Sequence, residues 1–384
     1  MTATHRYALP NGYELDGYRI DGILGTGGFG ITYRASETAI DRPLAIKEYL
    51  PSGIAMRDQS TSAVHASGSD DQDDFEWGLD RFRREAQTLV TFRHANIVAV
   101  YRFFEANNTA YLVMEYAQGE NLGTVLSRQK TLSEAEIRAL IEPLLNGLSR
   151  VHQAGVLHRD IKPDNIYIRN DGSPLLLDFG AARYAMGVRS HSLTSIVSAG
   201  YAPFEQYISN SKQGPWSDIY ALGSVLYRAV TGDVPPEATA RVKDDEMVSA
   251  SQAARGRYSE RLLAAIDAAL CVNENGRPQT IAAFIEMVGA NPLPADHTMQ
   301  AGEVSVPVHL TDSETKRIVI SADDLNVVKG HLAEAIGPIA SVLVKKAALE
   351  ASSLTELYLK LAENIDDTKD RERFLASRGA SRRI

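Results

Sequence analysis

The segment ILGTGGFGITY, residues 23–33, sets four glycines within six positions and then returns at once to β-forming residues. Strands do not tolerate glycine at that density without a reason, because it packs no side chain and loses the most conformational freedom on ordering. A glycine hairpin can fold over a polyphosphate and point its amide N–H groups at the oxygens. A tight turn between two strands is the plainer reading. The spacing Gly25-x-Gly27-x-x-Gly30 also fits a dinucleotide fingerprint. On this segment alone all three stand, and the rest of the chain has to separate them.

The turn sits in a strand-rich first third. YRIDGIL, ITYRASE and PLAIKEY between residues 18 and 49 read as strands, and NIVAVYRFFE and AYLVMEY read as two more around Asn107-Asn108. Residues 66–80, ASGSDDQDDFEWGLD, hold six acids and no base, and this reads as a solvated loop inserted before the helix LDRFRREAQTLVTF. From about residue 131 the pattern turns helical. SEAEIRALIEPLLNGLSRVHQAG opens on the capping pair Ser133 and Glu136 and stops at Gly155, and WSDIYALGSVLYRAVTG and SERLLAAIDAALCV read as buried helices. Strands first and helices later predict an α+β fold in two lobes, with the glycine turn at the top.

Residues 290–321 carry prolines and no helical period and read as a linker. Beyond it come four short amphipathic helices, DDLNVVKGHLAEAI, PIASVLVKKAALEA, LTELYLKLAENI and DRERFLAS, with Ser353 and Glu356 as a further capping signal. The expected division is an extension over 1–17, a large domain over 18–289 (lobes 18–116 and 117–289), the linker, and a small helical module over 322–380 with an interaction or regulatory role. Leu325, Leu332, Ile336, Val342, Leu343, Leu357, Leu361 and Phe374 supply its core.

Bulk properties exclude several classes. A net charge of −9 argues against a dedicated nucleic-acid binder. The one cysteine, Cys271, cannot form an internal disulfide and reads as a core residue, as suits a reducing cytosol. The first residues lack a basic start followed by an apolar run, and IGPIASVLV at 336–344 is too short to span a bilayer. A soluble, cytoplasmic protein is expected.

The chemistry-bearing residues gather in LHRDIKPDNIYI, residues 157–168, and in LLLDFGAAR, where Asp178 follows an apolar strand. With the glycine turn, AIKEY around Lys47, GYAPFEQY at 200–207 and WSDIYALG at 216–223, the set resembles the eukaryotic-like (Hanks-type) serine/threonine protein kinase family, in its bacterial soluble form. The resemblance covers about residues 18–289 in the family's order. It implies a bilobal kinase fold using ATP and Mg²⁺, with Mn²⁺ as a substitute, and phosphoryl transfer to protein serine and threonine hydroxyls.

The resemblance assigns roles residue by residue. Lys47 holds the α- and β-phosphates, aimed by Glu85 on the following helix. Asp160 orients the attacking hydroxyl and takes its proton, Lys162 neutralises the γ-phosphate, and Asp178 and Asn165 hold the metal. Gly25, Thr26, Gly27, Gly28, Phe29 and Gly30 cover the phosphates. Leu24, Ala45, Met114, Glu115 and Ala117 form the adenine pocket and hinge, with Thr32 and Tyr167 standing where the family has valine and leucine. Leu89, Val100, His158 and Phe179 fit an apolar spine, Glu205 pairs with Arg277, and Asp218 holds the catalytic loop. Because Lys47, Asp160, Asn165 and Asp178 are all present, an active kinase is favoured over a nucleotide-binding pseudokinase scaffold. A small-molecule phosphotransferase would lack the APFE segment. Thr194 and then Ser192 are the expected regulatory phosphorylation sites, with Arg159 as receiver and Ser198 beside Asp160. Expected partners are protein substrates and whatever the C-terminal helices bind, which includes a second copy of the chain.

Overall fold

The computed structural model describes residues 5–179, 198–208 and 211–290, together with 328, 332, 344, 354–362, 371 and 374. Two units are distinguished, residues 1–300 and 301–384.

The first unit is α+β. Strands β1 (Glu14–Leu15), β2 (Tyr18–Gly27), β3 (Gly30–Glu37), β4 (Arg42–Tyr49), β7 (Val100–Ala106) and β8 (Thr109–Glu115) make an antiparallel sheet in the order β1-β2-β3-β4-β8-β7. Asn107 and Asn108 both take positive φ, 51° and 56°, as a two-residue hairpin turn requires, which is why the strands flank this dipeptide. Between β4 and β7 lie a small hairpin, β5 (Ala55–Arg57) with β6 (Val64–Ala66), and helix α1 (Gln72–Leu89).

Here the expectation of a solvated loop over 66–80 is corrected. Phe75, Leu79, Phe82, Ala86 and Leu89 form one buried stripe at helical spacing, so α1 starts two turns earlier than the charge pattern suggests. The acids do not oppose this. Asp73 and Asp74 occupy the first turn, where negative charge complements the helix dipole. Tyr49 anchors the added turns by donating its hydroxyl to Phe75 O at 3.2 Å.

Residues 5–17 are part of the sheet's packing and not a loose extension: Leu9 is buried and β1 pairs with β2. The helical lobe holds α2 (Leu122–Gln129), α3 (Glu134–Gln153), α4 (Pro215–Thr231), α5 (Ala238–Lys243), α6 (Ala250–Ala253), α7 (Glu260–Ala269) and α8 (Ile281–Val288). The three-stranded sheet β9 (Gly119–Asn121), β10 (Ile166–Arg169) and β11 (Pro174–Leu176) lies where the lobes meet. The Ser133–Glu136 capping box forms, with Ser133 N donating to Glu136 Oε2 at 2.7 Å and Glu136 N to Ser133 Oγ at 3.3 Å. Cys271 is half-buried rather than a core residue.

In the second unit, helix α9 (Leu354–Ala362) buries Leu357, Tyr358 and Leu361, and Tyr358 stacks obliquely on Phe374 at 4.9 Å between centroids. Val328, Leu332 and Val344 are helical and buried. The linker, Leu325, Ile336, Val342, Leu343 and the Ser353 cap lie outside the described residues.

Candidate active site

Period-2 alternation along β4 turns Lys47 to the cleft between the lobes and Glu48 to the opposite face of the sheet. The cleft has a cavity of about 560 Å³ lined by Gly25, Thr26, Gly27, Gly28, Phe29, Gly30, Thr32, Lys47, Glu85, Met114, Asp160, Lys162, Asn165 and Asp178. An adjoining cavity of about 270 Å³ is lined by Leu24, Ala45, Glu115, Ala117 and Tyr167, and shares Gly25, Thr32, Met114 and Asp178 with the first. The glycine turn, the lysine strand, the hinge and both aspartates therefore face one continuous groove. Thr194 and Ser192 lie outside the described residues.

Sequence reasoning passed over several lining residues. Val98, Leu112 and Asn121 also face the cavities. Val98 sits in an apolar run whose exposed side the sequence does not mark. Asn121 carried one signal: it caps α2, accepting from Thr124 N at 2.8 Å.

The loop between α3 and β10 carries the densest polar network. Asn165 Nδ2 donates to both Asp160 O and Asp160 Oδ2 at 2.8 Å. Ser198 Oγ donates to Asp160 Oδ1 at 2.8 Å, and Lys162 Nζ reaches Asp160 Oδ2 at 3.1 Å and Ser198 Oγ at 3.2 Å. A serine hydroxyl thus rests on the carboxylate with an ammonium beside it. The loop's shape is imposed from below by Asp218, fully buried, which accepts from His158 N and Arg159 N at 2.8 Å each and from His152 Nε2 at 2.7 Å. These bonds hold Arg159 at φ +66°, a conformation that costs a non-glycine residue free energy and persists only when its surroundings fix it. Arg159 Nε donates to Gln213 Oε1 at 3.1 Å.

His158 is packed, not catalytic. It is buried with its ring 4.5 Å from that of Phe179, and Nε2 lies 2.8 Å from Leu177 O. Burial lowers its pKa below the ordinary histidine value, so the ring is neutral, donates from Nε2 and accepts from Asp160 N at Nδ1, 3.3 Å away. The Glu205–Arg277 pair forms at 2.7 Å with both side chains buried, and Ser217 Oγ donates to the same carboxylate at 2.8 Å.

One expected contact differs. Among the described residues, Lys47 makes its ion pair with Asp178 Oδ1, at 2.9 Å, and not with Glu85. Glu85 lines the same cavity and still acts on Lys47 through its charge. Burial pulls the Lys47 pKa down, but Asp178, Glu85 and Asp160 outweigh it and leave the ammonium more basic than a free lysine. The lysine is therefore a fixed positive charge in the cleft.

Among the described residues no group of three or more His, Cys, Asp or Glu could hold a metal ion. Asp178 and Asn165 offer only hard oxygen donors to the cavity. That set fits Mg²⁺, which is bound by one or two protein oxygens together with substrate phosphates and water. Among the described residues no helix is long and apolar enough to cross a membrane.

Comparison with known proteins supports what the geometry describes. Residues 18–287 match the protein kinase domain family, and residues 323–378 match a domain of unknown function, DUF8082. Serine/threonine-protein kinase PknA of Nostoc sp. is 32% identical over 301 residues, 76% of this chain and 48% of the relative. Serine/threonine-protein kinase PknL of Mycobacterium tuberculosis is 31% identical over 220 residues, 57% of this chain and 50% of the relative. The chain spans about half or less of the length of these curated relatives. A solved structure titled PpkA-294 apo form superposes with a TM-score of 0.68 at 38% identity, covering 73% of this chain and 99% of that one. By the matched span, the shared lobes and the likeness to that structure, this chain belongs to the protein kinase domain family.

Proposed function

We propose that the chain is an active serine/threonine protein kinase that transfers the γ-phosphate of ATP to protein hydroxyls, including its own. The observation that carries this reading is the cluster around Asp160, where Ser198 Oγ and Lys162 Nζ meet the carboxylate at 2.8 and 3.1 Å on the floor of the glycine-roofed cleft. A substrate hydroxyl at that carboxylate would be oriented for attack and would give up its proton to it. Lys162 would neutralise charge on the transferring group, and Lys47, held basic by its acidic neighbours, would bind the α- and β-phosphates. Glu85 would share the task of aiming Lys47. Asp178 and Asn165 would hold Mg²⁺, which when bound screens the phosphate charges. Leu24, Ala45, Met114, Glu115, Ala117, Thr32 and Tyr167 would enclose the base.

The remaining assignments belong to the same reading: signalling in a bacterial cytoplasm, regulatory phosphorylation at Thr194 or Ser192 between Asp178 and Glu205, and association or regulation through the helices after residue 321. Incubating the full chain with γ-labelled ATP, Mg²⁺ and a generic basic protein tests it. Label recovered as phosphoserine and phosphothreonine is expected, and none with Asp160→Asn. Nucleotide binding without transfer would sink the enzymatic reading and leave a scaffold.

A further inference from the structure

Glycine leaves the turn's backbone more conformational freedom than other residues would, and the neighbouring chain restricts it. Strand β4 ends at Tyr49, opposite Gly30, but the chain continues along the turn as Leu50-Pro51-Ser52. The approach is so close that a Cβ on Gly30 would collide with Glu48 O, so only glycine fits. Leu50 N donates to Phe29 O at 3.2 Å, and Gly28 O accepts twice from one residue, from Ser52 N at 2.8 Å and Ser52 Oγ at 3.1 Å.

The segment bearing Ser52 is itself held at both ends. On one side is β4. On the other, the buried Arg57 uses all three guanidinium nitrogens: Nε to Tyr7 O at 2.8 Å, Nη1 to Ser62 O at 2.5 Å and Nη2 to Glu48 Oε1 at 2.5 Å. Ser52 is exposed and does not line the cleft.

We propose that Ser52 is a positioning residue for the glycine turn, setting the Gly28–Phe29 peptide plane for a polyphosphate. The peptide is trans and planar, so fixing the Gly28 carbonyl toward Ser52 fixes the Phe29 N–H toward the opposite side. The hydroxyl bond adds to the amide bond and removes freedom that the phosphates would otherwise have to remove on binding. The inference rests on the reading that this cleft binds ATP.

The test compares Ser52→Ala, which deletes the hydroxyl, with Ser52→Thr, which keeps it, both in the full chain. Dissociation constants for ATP and for adenosine are measured alongside KM and kcat. The expected result for Ser52→Ala is ATP binding weakened about threefold, the scale of one solvent-exposed hydrogen bond, with KM raised to match. Adenosine binding, kcat and the unfolding midpoint should stay at wild-type values, and Ser52→Thr should restore ATP affinity. Unchanged ATP affinity in Ser52→Ala, or an equal loss for adenosine, overturns the proposal while leaving the nucleotide reading intact. A wild-type chain that binds no ATP overturns both.

Discussion

Among the described residues, each lobe buries one carboxylate–guanidinium pair, and the two are built differently. In the helical lobe, Glu205 on the turn Phe204–Tyr207 meets Arg277 through two bonds, 2.7 and 3.2 Å, and among the described residues Ser217 is the one further donor to the acid. In the sheet lobe, Glu48 takes one bond from Arg57 and two from phenols, Tyr33 OH at 2.8 Å and Tyr111 OH at 2.5 Å. The first pair joins the end of the segment after Asp178 to the helices. The second joins the β5–β6 hairpin and residues 7–9 to the strand that carries Lys47. A buried charge must be compensated wherever it sits. The sheet lobe spreads that compensation over neutral hydroxyls, while the helical lobe concentrates it on one arginine.

The sharpest contrast with both pairs is the cleft itself. Lys47→Met and Asp178→Asn should each lower single-turnover phosphotransfer by about a thousandfold or more, since they act on charge at the phosphates. Circular dichroism and unfolding midpoints should remain those of a folded chain. Activity near wild type in either variant would break the assignment of the cleft.

Next come the pairs, whose loss should register as stability rather than chemistry. Removing one partner of a buried pair costs about 3–5 kcal/mol. Arg277→Met should fall at the top of that range and Arg57→Met at the bottom, because Glu48 keeps two phenolic donors and Glu205 keeps one hydroxyl. Urea unfolding of the two variants measures the difference, and the reverse order would refute the contrast drawn above.

A local change at the surface of the helical lobe should matter less. Ser133→Ala removes the hydroxyl side of the α3 capping box and should cost about 1 kcal/mol in the same unfolding assay.

The smallest effect is a slope with pH. His158 is held neutral by burial, and His94 by burial together with Arg150, so both fold with pKa values below the ordinary 6.5. The unfolded chain then binds more protons than the folded one as pH drops below 6.5. Stability from these groups is complete above that value and declines as pH falls toward their folded values. His158→Phe should flatten the slope in part, leaving the share of His94. An unchanged slope would mean that His158 titrates alike in both states.

Much of this fold was legible because its signals are local. Glycine spacing, strand alternation, the Asn107-Asn108 turn and the Ser133–Glu136 cap each act over a few residues, and each formed where the sequence reading places it. The loop from Asp160 to Asn165 was legible because its polar density has no packing explanation, and Asp160, Lys162 and Asn165 do line the cleft. The acidic run over 66–80 misled, because charge density was weighed above the buried positions Phe75 and Leu79.

The sequence by itself determined which side chains could do chemistry and on which strand, turn or helix each would sit, since those follow from short-range propensity and period. Tertiary structure decided their partners. Lys47 meets Asp178 across 131 positions, and Asp218 reaches back 60 residues to hold the catalytic loop. Alternation along β4 implies that Glu48 faces away from Lys47. Only the packed hairpin, with Arg57, Tyr33 and Tyr111 brought around it, makes that position a buried charge fully bonded. Such contacts depend on where distant segments come to rest, and no local pattern encodes that.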